Sequence, residues 1–261
     1  MTGKDDGGSG AGRFDASYYE RVYNVSGVSR RDIHWWANRY YARLAERLLR
    51  RTGGSRLLDV GCGQGFLLMQ MNPRVETWGL EVSEYAASRC GEFAPRARVV
   101  LGNIEEGLPA EIPAGSFDVV IARYVLEHLK DPGAAMARCA TLLRPGGYFL
   151  FSVPNTESPG RRLKGPQWFG CLDETHCSLL SPGEWAGLVP KSGLRIEKVF
   201  SDGLWDIPYL PRVPRVLQYG LFSIPTILAV FFVSTAVPLS WGENLIAFAR
   251  KPGEPRAPAG P

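Results

Sequence analysis

The chain has 261 residues, of which 30 are basic and 26 acidic, and its formal net charge is +4. This length is sufficient for one α/β domain with additions. The charge is too small, and too evenly spread, to indicate a nucleic-acid-binding protein. The five cysteines form no C-x-x-C pair, so the sequence predicts no zinc or other metal site and indicates reduced thiols in the cytoplasm.

The first 52 residues differ in composition from the rest. Residues 1–12 are polar and rich in glycine, which predicts a disordered tail, and they lack the apolar stretch of a signal peptide. Residues 13–52 are rich in aromatic residues and arginine and predict a helical cap. Within residues 35–51, apolar side chains recur every four positions and predict one apolar helix face. These side chains are Trp36, Tyr40, Leu44 and Leu48.

Residues 56–65, RLLDVGCGQG, carry the clearest functional pattern. An apolar strand ends at Asp59 and is followed by three glycines at alternate positions, Gly61, Gly63 and Gly65. Glycine lets the backbone turn sharply and approach a ligand where a Cβ atom would clash. The run at residues 66–71 is typical of a helix. This order predicts a nucleotide-type site, although the spacing is not the G-x-G-x-x-G of dinucleotide-binding enzymes.

Strand-like and helix-like segments alternate through the rest of the chain. The predicted strands cover residues 56–60, 77–81, 97–101, 117–122, 148–153, 194–200 and 244–250. The predicted helices between them cover residues 84–93, 132–143 and 181–191. This alternation predicts an α/β fold with a doubly wound, mostly parallel seven-stranded sheet. The proline-rich residues 252–261 predict a second disordered tail.

An apolar insertion, residues 203–242, precedes the last strand. Its residues 216–242 contain no charged side chain. The strands on both sides belong to one sheet, so the chain must return to the side of the membrane it left, and this segment is too short for two crossings of about 20 residues each. Two interpretations remain. The insertion either contacts a membrane, with Arg212 and Arg215 at the headgroups and Tyr209 and Trp241 at the interface, or forms a pocket cap or dimer face.

Four segments together resemble the class I S-adenosylmethionine-dependent methyltransferases. They are DVGCGQG at residues 59–65, WGLEVS at 78–83, FDVVIARYVLEHL at 117–129 and LLRPGGYFLFSVPN at 142–155. The resemblance implies a Rossmann-like methyltransferase domain at residues 53–251, in which the last strand is antiparallel and lies between the fifth and sixth. It implies S-adenosylmethionine as the cofactor. It also implies that the N-terminal helices either pack on the sheet or form a lid, with Tyr18, Tyr19 or Tyr23 reaching the cofactor.

The resemblance also implies a set of cofactor-binding residues. Asp59 is expected to receive the amino group of the cofactor, Glu81 both ribose hydroxyls, and Asn103 the adenine amino group. Asn103 departs from the acidic residue usual at that place. The full set is Asp59, Gly61, Cys62, Gly63, Gly65, Glu81, Val82, Asn103, Ile104, Ala122 and Arg123.

The acceptor side is less defined. An oxygen acceptor must lose a proton, for which a histidine is well suited. His176 is the first candidate for the base or acceptor-positioning group, and His128, in VLEHL, is the second catalytic candidate, with helix packing as its alternative role. Trp168 and Asp173 are expected in the wall of the acceptor pocket.

These patterns favour a methyltransferase acting on a small, hydrophobic or lipid-like acceptor, with O-methylation as the leading reaction. A soluble secondary metabolite or a sugar is an alternative acceptor. A nucleotide-dependent reductase on a related fold and a catalytically silent binding module are the competing classes. The expected location is the cytoplasm, with peripheral contact to the inner face of the membrane, and no nucleic-acid partner is expected.

Overall fold

The computed structural model describes residues 13–22, 29 and 32–253. In this part of the chain, helices cover both faces of a seven-stranded sheet. The strands are β1 (Arg56–Val60), β2 (Glu76–Glu81), β3 (Arg98–Leu101), β4 (Phe117–Arg123), β5 (Leu143–Pro154), β6 (Arg195–Phe200) and β7 (Asn244–Arg250). The helices are α1 (Ala16–Val22), α2 (Ile33–Thr52), α3 (Glu84–Phe93), α4 (Pro132–Leu142), α5 (Pro159–Lys164), α6 (Phe169–Leu172), α7 (Pro182–Lys191), α8 (Arg215–Phe222) and α9 (Ile224–Phe232).

The strand order is β3-β2-β1-β4-β5-β7-β6. The first five strands in this order are parallel, whereas β7 runs antiparallel to both β5 and β6. The order reverses between the paired strands β1 and β4. The connections that follow these two strands lead in opposite directions and leave a crevice at the carboxyl ends. This topology confirms the predicted fold class, including the place of the last strand.

Strands β1 and β4 lie at the centre of the sheet because their sequences are almost entirely apolar. Four of the five residues in β1 are buried, as are the first six of β4. Continuous apolar runs of this kind are typical of parallel strands that are covered on both faces. As a result, the polar residues at their carboxyl ends, Asp59 and Arg123, are held at one edge of a rigid core.

The helix expected at residues 66–71 is absent, and this prediction was wrong. The chain forms only a 3₁₀ turn at Leu68–Gln70 before it enters β2. The N-terminal helix α2 covers this part of the sheet instead, since Tyr40, Leu44 and Leu48 pack in one buried cluster with Leu68. The apolar pattern of residues 66–71 therefore reflects contact with α2.

Helix α2 has defined ends. The Asp32 side chain accepts a hydrogen bond from the His34 N–H at the start, and Gly53 ends the helix in the left-handed conformation at φ 65°. Three of the four predicted apolar positions are buried. The fourth, Trp36, is exposed. Tyr41, Ala45 and Leu49 are buried as well, so the buried face of the helix is wider than the predicted stripe.

The apolar insertion folds as two short helices, α8 and α9, which meet at an angle of 53°. Within the described residues, no helix taken singly has the length and apolarity needed to cross a membrane, while α8 and α9 together meet that criterion as a bent pair. Many of their large apolar side chains face outward. Val216 is 80% exposed and Phe231 is 71% exposed.

A buried carboxylate, Glu243, ties the insertion to the sheet. Its Oε2 accepts hydrogen bonds from Trp168 Nε1 at 2.6 Å and from Ser158 Oγ at 3.0 Å, and its Oε1 accepts one from the Tyr209 hydroxyl. Trp168 and Glu243 are fully buried. Trp168 therefore does not line the pocket wall expected from the sequence. Tyr209 is also buried rather than placed at a membrane interface.

We predict that Trp168→Phe lowers the free energy of unfolding by about 1–3 kcal/mol, because it keeps the ring but removes a donor to a buried carboxylate. Urea unfolding followed by circular dichroism measures this change. Trp241→Phe, at a position that is 42% exposed, is the matched control and should change the free energy by less than about 0.5 kcal/mol. Equal effects of the two substitutions would show that the indole N–H contributes nothing.

Candidate active site

A cavity lies at the carboxyl ends of β1, β2 and β4, where the strand order reverses. Its floor is the glycine loop after β1. The N–H groups of Gly61 and Cys62 both donate to the Leu80 carbonyl, at 2.7 and 3.2 Å, and so bind the loop to β2. Gly61 has a φ of +69°. A Cβ atom there would lie 2.4 Å from Val125 Cγ2, so the loop requires glycine at this position.

Glu81, at the end of β2, is held by backbone donors. Its Oε2 accepts from the Gly63 N–H at 2.7 Å, and its Oε1 accepts from the N–H groups of Val82 and Ser83, each at 3.0 Å. The Tyr19 hydroxyl also donates to Oε1, at 3.3 Å. Burial raises the pKa of Glu81, and these hydrogen bonds act in the opposite direction. The carboxylate is thus fixed beside the glycine loop.

Asp59 and Arg123 face the same cavity from β1 and β4. Burial raises the pKa of Asp59 to about 8, and the Arg123 guanidinium opposes this shift. Arg123 donates to Asn38 Oδ1 and stacks over the Tyr41 ring at 4.6 Å. Both of these partners belong to α2. Helix α2 therefore sets the position of the Arg123 guanidinium, which faces Asp59.

The adenine-side residues divide into two groups. Val82 and Ile104 line the cavity, as the sequence predicts. Asn103 also lines it, but its Oδ1 accepts from the Glu105 N–H at 2.9 Å and its Nδ2 donates to Glu106 at 3.0 Å. The amide of Asn103 is therefore already engaged within its own turn.

Three further predicted cofactor residues take different positions. Cys62 lines the cavity beside the glycine loop. Gly65 does not line it, because its Cα packs against α3, where an added Cβ atom would lie 2.4 Å from Cys90 Sγ. Ala122 is fully buried within β4 and is also not part of the lining. Gly65 and Ala122 therefore pack beneath the residues that line the cavity and do not face it.

Helix α1 covers the cavity from above. Tyr18 and Tyr19 line it, and Tyr19 Cε1 lies 3.6 Å from the position that a Cβ atom on Gly63 would take. Phe14, just before α1, packs edge-on against His128 with ring centroids 5.5 Å apart. Tyr23, the third predicted lid residue, lies outside the described residues. The two N-terminal helices thus serve both alternatives, since α1 lines the site and α2 packs on the sheet.

The two catalytic candidates lie next to each other, with ring centroids 4.6 Å apart. His128 lines the cavity, whereas His176 lies behind it and is not part of the lining. Burial, together with the neighbouring His176, lowers the pKa of His128 to about 4. Asp173, expected in the pocket wall, also lies outside the lining and accepts from the Tyr18 hydroxyl at 3.2 Å. His128 is therefore the histidine that faces the cavity, but it is a weak base.

Sequence reasoning missed two cavity residues on α2, His34 and Asn38. They are four residues apart and therefore lie on the same face of the helix. The apolar pattern drew attention to the neighbouring face. A polar pair with this spacing next to an apolar face was the signal available in the sequence.

The cavity fits S-adenosylmethionine. A carboxyl group at Asp59 faces it where a ligand amino group can bind, and the fixed Glu81 carboxylate offers two acceptor oxygens to a diol. The glycine loop between them admits a ligand against the backbone.

Comparison with known proteins gives the same result. Residues 29–199 match the protein family described as a methyltransferase domain. A probable S-adenosylmethionine-dependent methyltransferase of Mycolicibacterium smegmatis is 34% identical over 169 residues, which cover 63% of this chain and 61% of that protein. A ubiquinone biosynthesis O-methyltransferase of Ralstonia nicotianae is 39% identical over 153 residues, covering 54% of this chain and 63% of that protein. The chain thus spans less than two thirds of either relative.

A solved structure shares the fold. The S-adenosylmethionine-dependent methyltransferase from Thermotoga maritima, described as a possible histamine N-methyltransferase, superimposes with a TM-score of 0.55 at 18% identity. The superposition covers 89% of this chain and 97% of that one. With the family match over most of the domain, the chain belongs to the class I S-adenosylmethionine-dependent methyltransferase family.

Proposed function

We propose that the protein transfers a methyl group from S-adenosylmethionine to an oxygen atom of a small, apolar acceptor. The observation that carries this proposal is the pair of acidic groups, Asp59 and Glu81, on either side of the glycine loop in one cavity. When bound, S-adenosylmethionine supplies a methyl group on a positively charged sulfur. As the new O–C bond forms, the C–S bond breaks with its electron pair kept by sulfur, and the acceptor hydroxyl releases its proton through His128, which lines the cavity, to solvent.

In this proposal the residues of the chain bind and align the reactants. Glu81 accepts both ribose hydroxyls, and Asp59 accepts the amino group while Arg123 holds its orientation. Phe14, Tyr18 and Tyr19 close the cavity on one side. Methyl transfer to a positioned nucleophile requires chiefly alignment and the exclusion of water, so a closed apolar lid is well matched to it.

The acceptor class is inferred from the lining and from the relatives. Aromatic and aliphatic side chains around His128, including Phe14 and Leu129, favour an apolar acceptor over a sugar. Several of the similar curated proteins are ubiquinone biosynthesis O-methyltransferases, which supports oxygen as the methylated atom. His128 and His176 remain the candidate groups on the acceptor side.

Calorimetric titration of the full chain with S-adenosylmethionine and S-adenosylhomocysteine tests the cofactor half of this proposal. We expect Glu81→Ala to weaken both ligands by at least about tenfold, or about 1.4 kcal/mol, because the ribose loses its acceptor. Glu84→Ala, an exposed acid three residues further on, is the control and should bind as the wild type does. If neither ligand binds the wild type, the proposed activity is excluded.

The pH dependence of binding gives a second test. Because the pKa of Asp59 is raised to about 8, its carboxyl group is mostly protonated below that pH and must ionise to pair with a cation. Affinity for S-adenosylmethionine should therefore rise from pH 6 to 7.5, by up to about tenfold per pH unit. Asp59→Asn should remove this rise. S-adenosylhomocysteine, which keeps the amino group but lacks the sulfonium charge, should show the same rise. If the affinity of Asp59→Asn changed with pH as that of the wild type does, Asp59 would not be the group that pairs with the amino group of the ligand.

We also propose that α8 and α9 contact a membrane surface. Ten of the sixteen exposed large hydrophobic side chains in the described chain lie between Val216 and Trp241, and an apolar patch of this size needs a partner. The exposed Arg212 and Arg215 at its edge match anionic headgroups. None of residues 203–242 lines the cavity, which disfavours the pocket-cap alternative. Membrane contact would bring the enzyme to a lipid-like acceptor.

Co-sedimentation with vesicles of mixed phosphatidylglycerol and phosphatidylcholine tests this contact. We expect binding to fall at least about fivefold in Phe231→Ser/Phe232→Ser, since about 20–33 cal/mol is lost per Å² of buried apolar area. Leu101→Ser, 49% exposed on the opposite edge strand, is the control. Unchanged binding in the double variant, or a wild-type dimer that dissociates with the same substitutions, would overturn the proposal.

A further inference from the structure

We propose that Glu127, His128 and His176 form a binding site for one divalent transition-metal ion beside the cofactor cavity. One donor atom from each of these residues lies within 4.8 Å of the other two. The residues come from the 3₁₀ turn after β4 and from the loop before α7. The existence of the site does not depend on the proposed function, although its role in catalysis does.

The first observation is that the buried carboxyl group of Glu127 lacks a polar partner. Its side chain is fully buried, and neither carboxylate oxygen has a hydrogen-bond partner among the described residues. A buried, unpaired carboxyl group is costly unless it is protonated, paired or bound to a metal. A cation between Glu127 and the two histidines would provide the missing partner.

The second observation concerns the protons on the two imidazole rings. Thr175 Oγ1 donates its only proton to Asp173 Oδ1 at 2.5 Å, so it must accept from His128 Nδ1 at 2.8 Å. His176 Nδ1 lies 2.8 Å from the Gly170 carbonyl, which can only accept. Both histidines therefore carry their proton on Nδ1. Neither Nε2 atom makes a hydrogen bond among the described residues, and His176 Nε2 lies 3.9 Å from Asp173 Oδ2, beyond hydrogen-bond distance. Histidines that bind a metal ion through one nitrogen are commonly oriented through the other in this way.

The third observation is that the loop carrying His176 is fixed against the turn carrying His128. The N–H groups of Cys177 and Ser178 both donate to the Glu127 carbonyl, at 3.0 and 2.9 Å. Ser178 Oγ donates to the Leu129 carbonyl at 2.6 Å. These bonds hold the three donor groups together without any ligand. Because the donor groups of a preorganised site are already held in place, less conformational entropy is lost when an ion binds.

The donor set defines the class of ion. Two neutral imidazoles and one carboxylate suit Zn²⁺ and the other first-row divalent metals, and they leave coordination positions open. Ligand atoms around a tetrahedral zinc ion lie roughly 3.4 Å apart, given bonds of about 2.0–2.1 Å. The donor atoms lie within 4.8 Å of one another, so bringing them to about 3.4 Å requires side-chain movements on the order of 1 Å. Rotation of the Glu127 side chain can provide part of this movement.

The open positions give the ion a role in methyl transfer. His128 lines the cavity, so a ligand of the ion can also be a group bound in the cavity. A metal ion lowers the pKa of a hydroxyl group that it contacts. The site therefore specifies an acceptor with a hydroxyl group that can reach the ion from the cavity.

Cobalt titration of the full chain tests the site. The protein is purified without a metal-affinity tag, treated with EDTA, and titrated with Co²⁺ in the absence of acceptor. We expect one Co²⁺ per chain, with visible absorption of a nitrogen and oxygen site and no thiolate charge-transfer band. Glu127→Gln and His176→Ala should each weaken binding at least about tenfold. Glu111→Gln, at an exposed acid outside both the cluster and the cavity, should bind Co²⁺ as the wild type does.

Binding of S-adenosylhomocysteine, measured on the same samples, shows whether each variant is folded. Wild type that binds S-adenosylhomocysteine but not Co²⁺ would overturn the metal site and leave the proposed function intact. A thiolate band, which would point to Cys171 or Cys177, or equal Co²⁺ affinity in wild type and Glu127→Gln, would also overturn it. Co²⁺ binding without binding of S-adenosylhomocysteine would support the site and contradict the proposed function.

Discussion

The site depends first on the hydrogen bonds that the Glu81 carboxylate accepts from three backbone N–H groups. One comes from the glycine loop, at Gly63, and two come from the turn that starts α3, at Val82 and Ser83. A side chain at the end of one strand thus fixes the loop that follows its neighbour. Because a carboxylate that is bonded on both oxygens is also constrained in rotation, the two halves of the cofactor cavity keep one relative position.

The regular elements were largely predictable from the sequence. Strands β1 and β7 and helix α3 have the predicted bounds, because each is a continuous apolar run or an amphipathic run that ends at a clear turn or cap. Local patterns failed where distant residues decide the structure. Residues 66–71 carry a helical pattern but contact α2, and Trp168 resembles a pocket residue but is paired with Glu243, 75 positions away.

The same division applies to the candidate site. Asp59, Glu81 and the glycine loop follow from a motif that is contiguous in sequence, so they could be placed before the fold was known. The group formed by Glu127, His128 and His176 combines a common short string with a loop almost fifty residues later. Cysteine spacing predicts no metal site. No local pattern in the sequence shows that the Glu127 side chain points inward, or that both imidazoles carry their proton on Nδ1.

Helix α2 determines how far the folded unit extends along the chain. The crossover from β1 to β2 contains only a 3₁₀ turn, so the sheet face above it is closed by Tyr40, Tyr41, Leu44 and Leu48, which lie earlier in the chain. Asn38, on the same helix, holds Arg123 in the cavity. A fragment beginning at Gly53 would keep every recognisable motif of the family and yet leave an uncovered apolar face and an unrestrained arginine. The smallest unit that folds and binds therefore extends well upstream of its first motif.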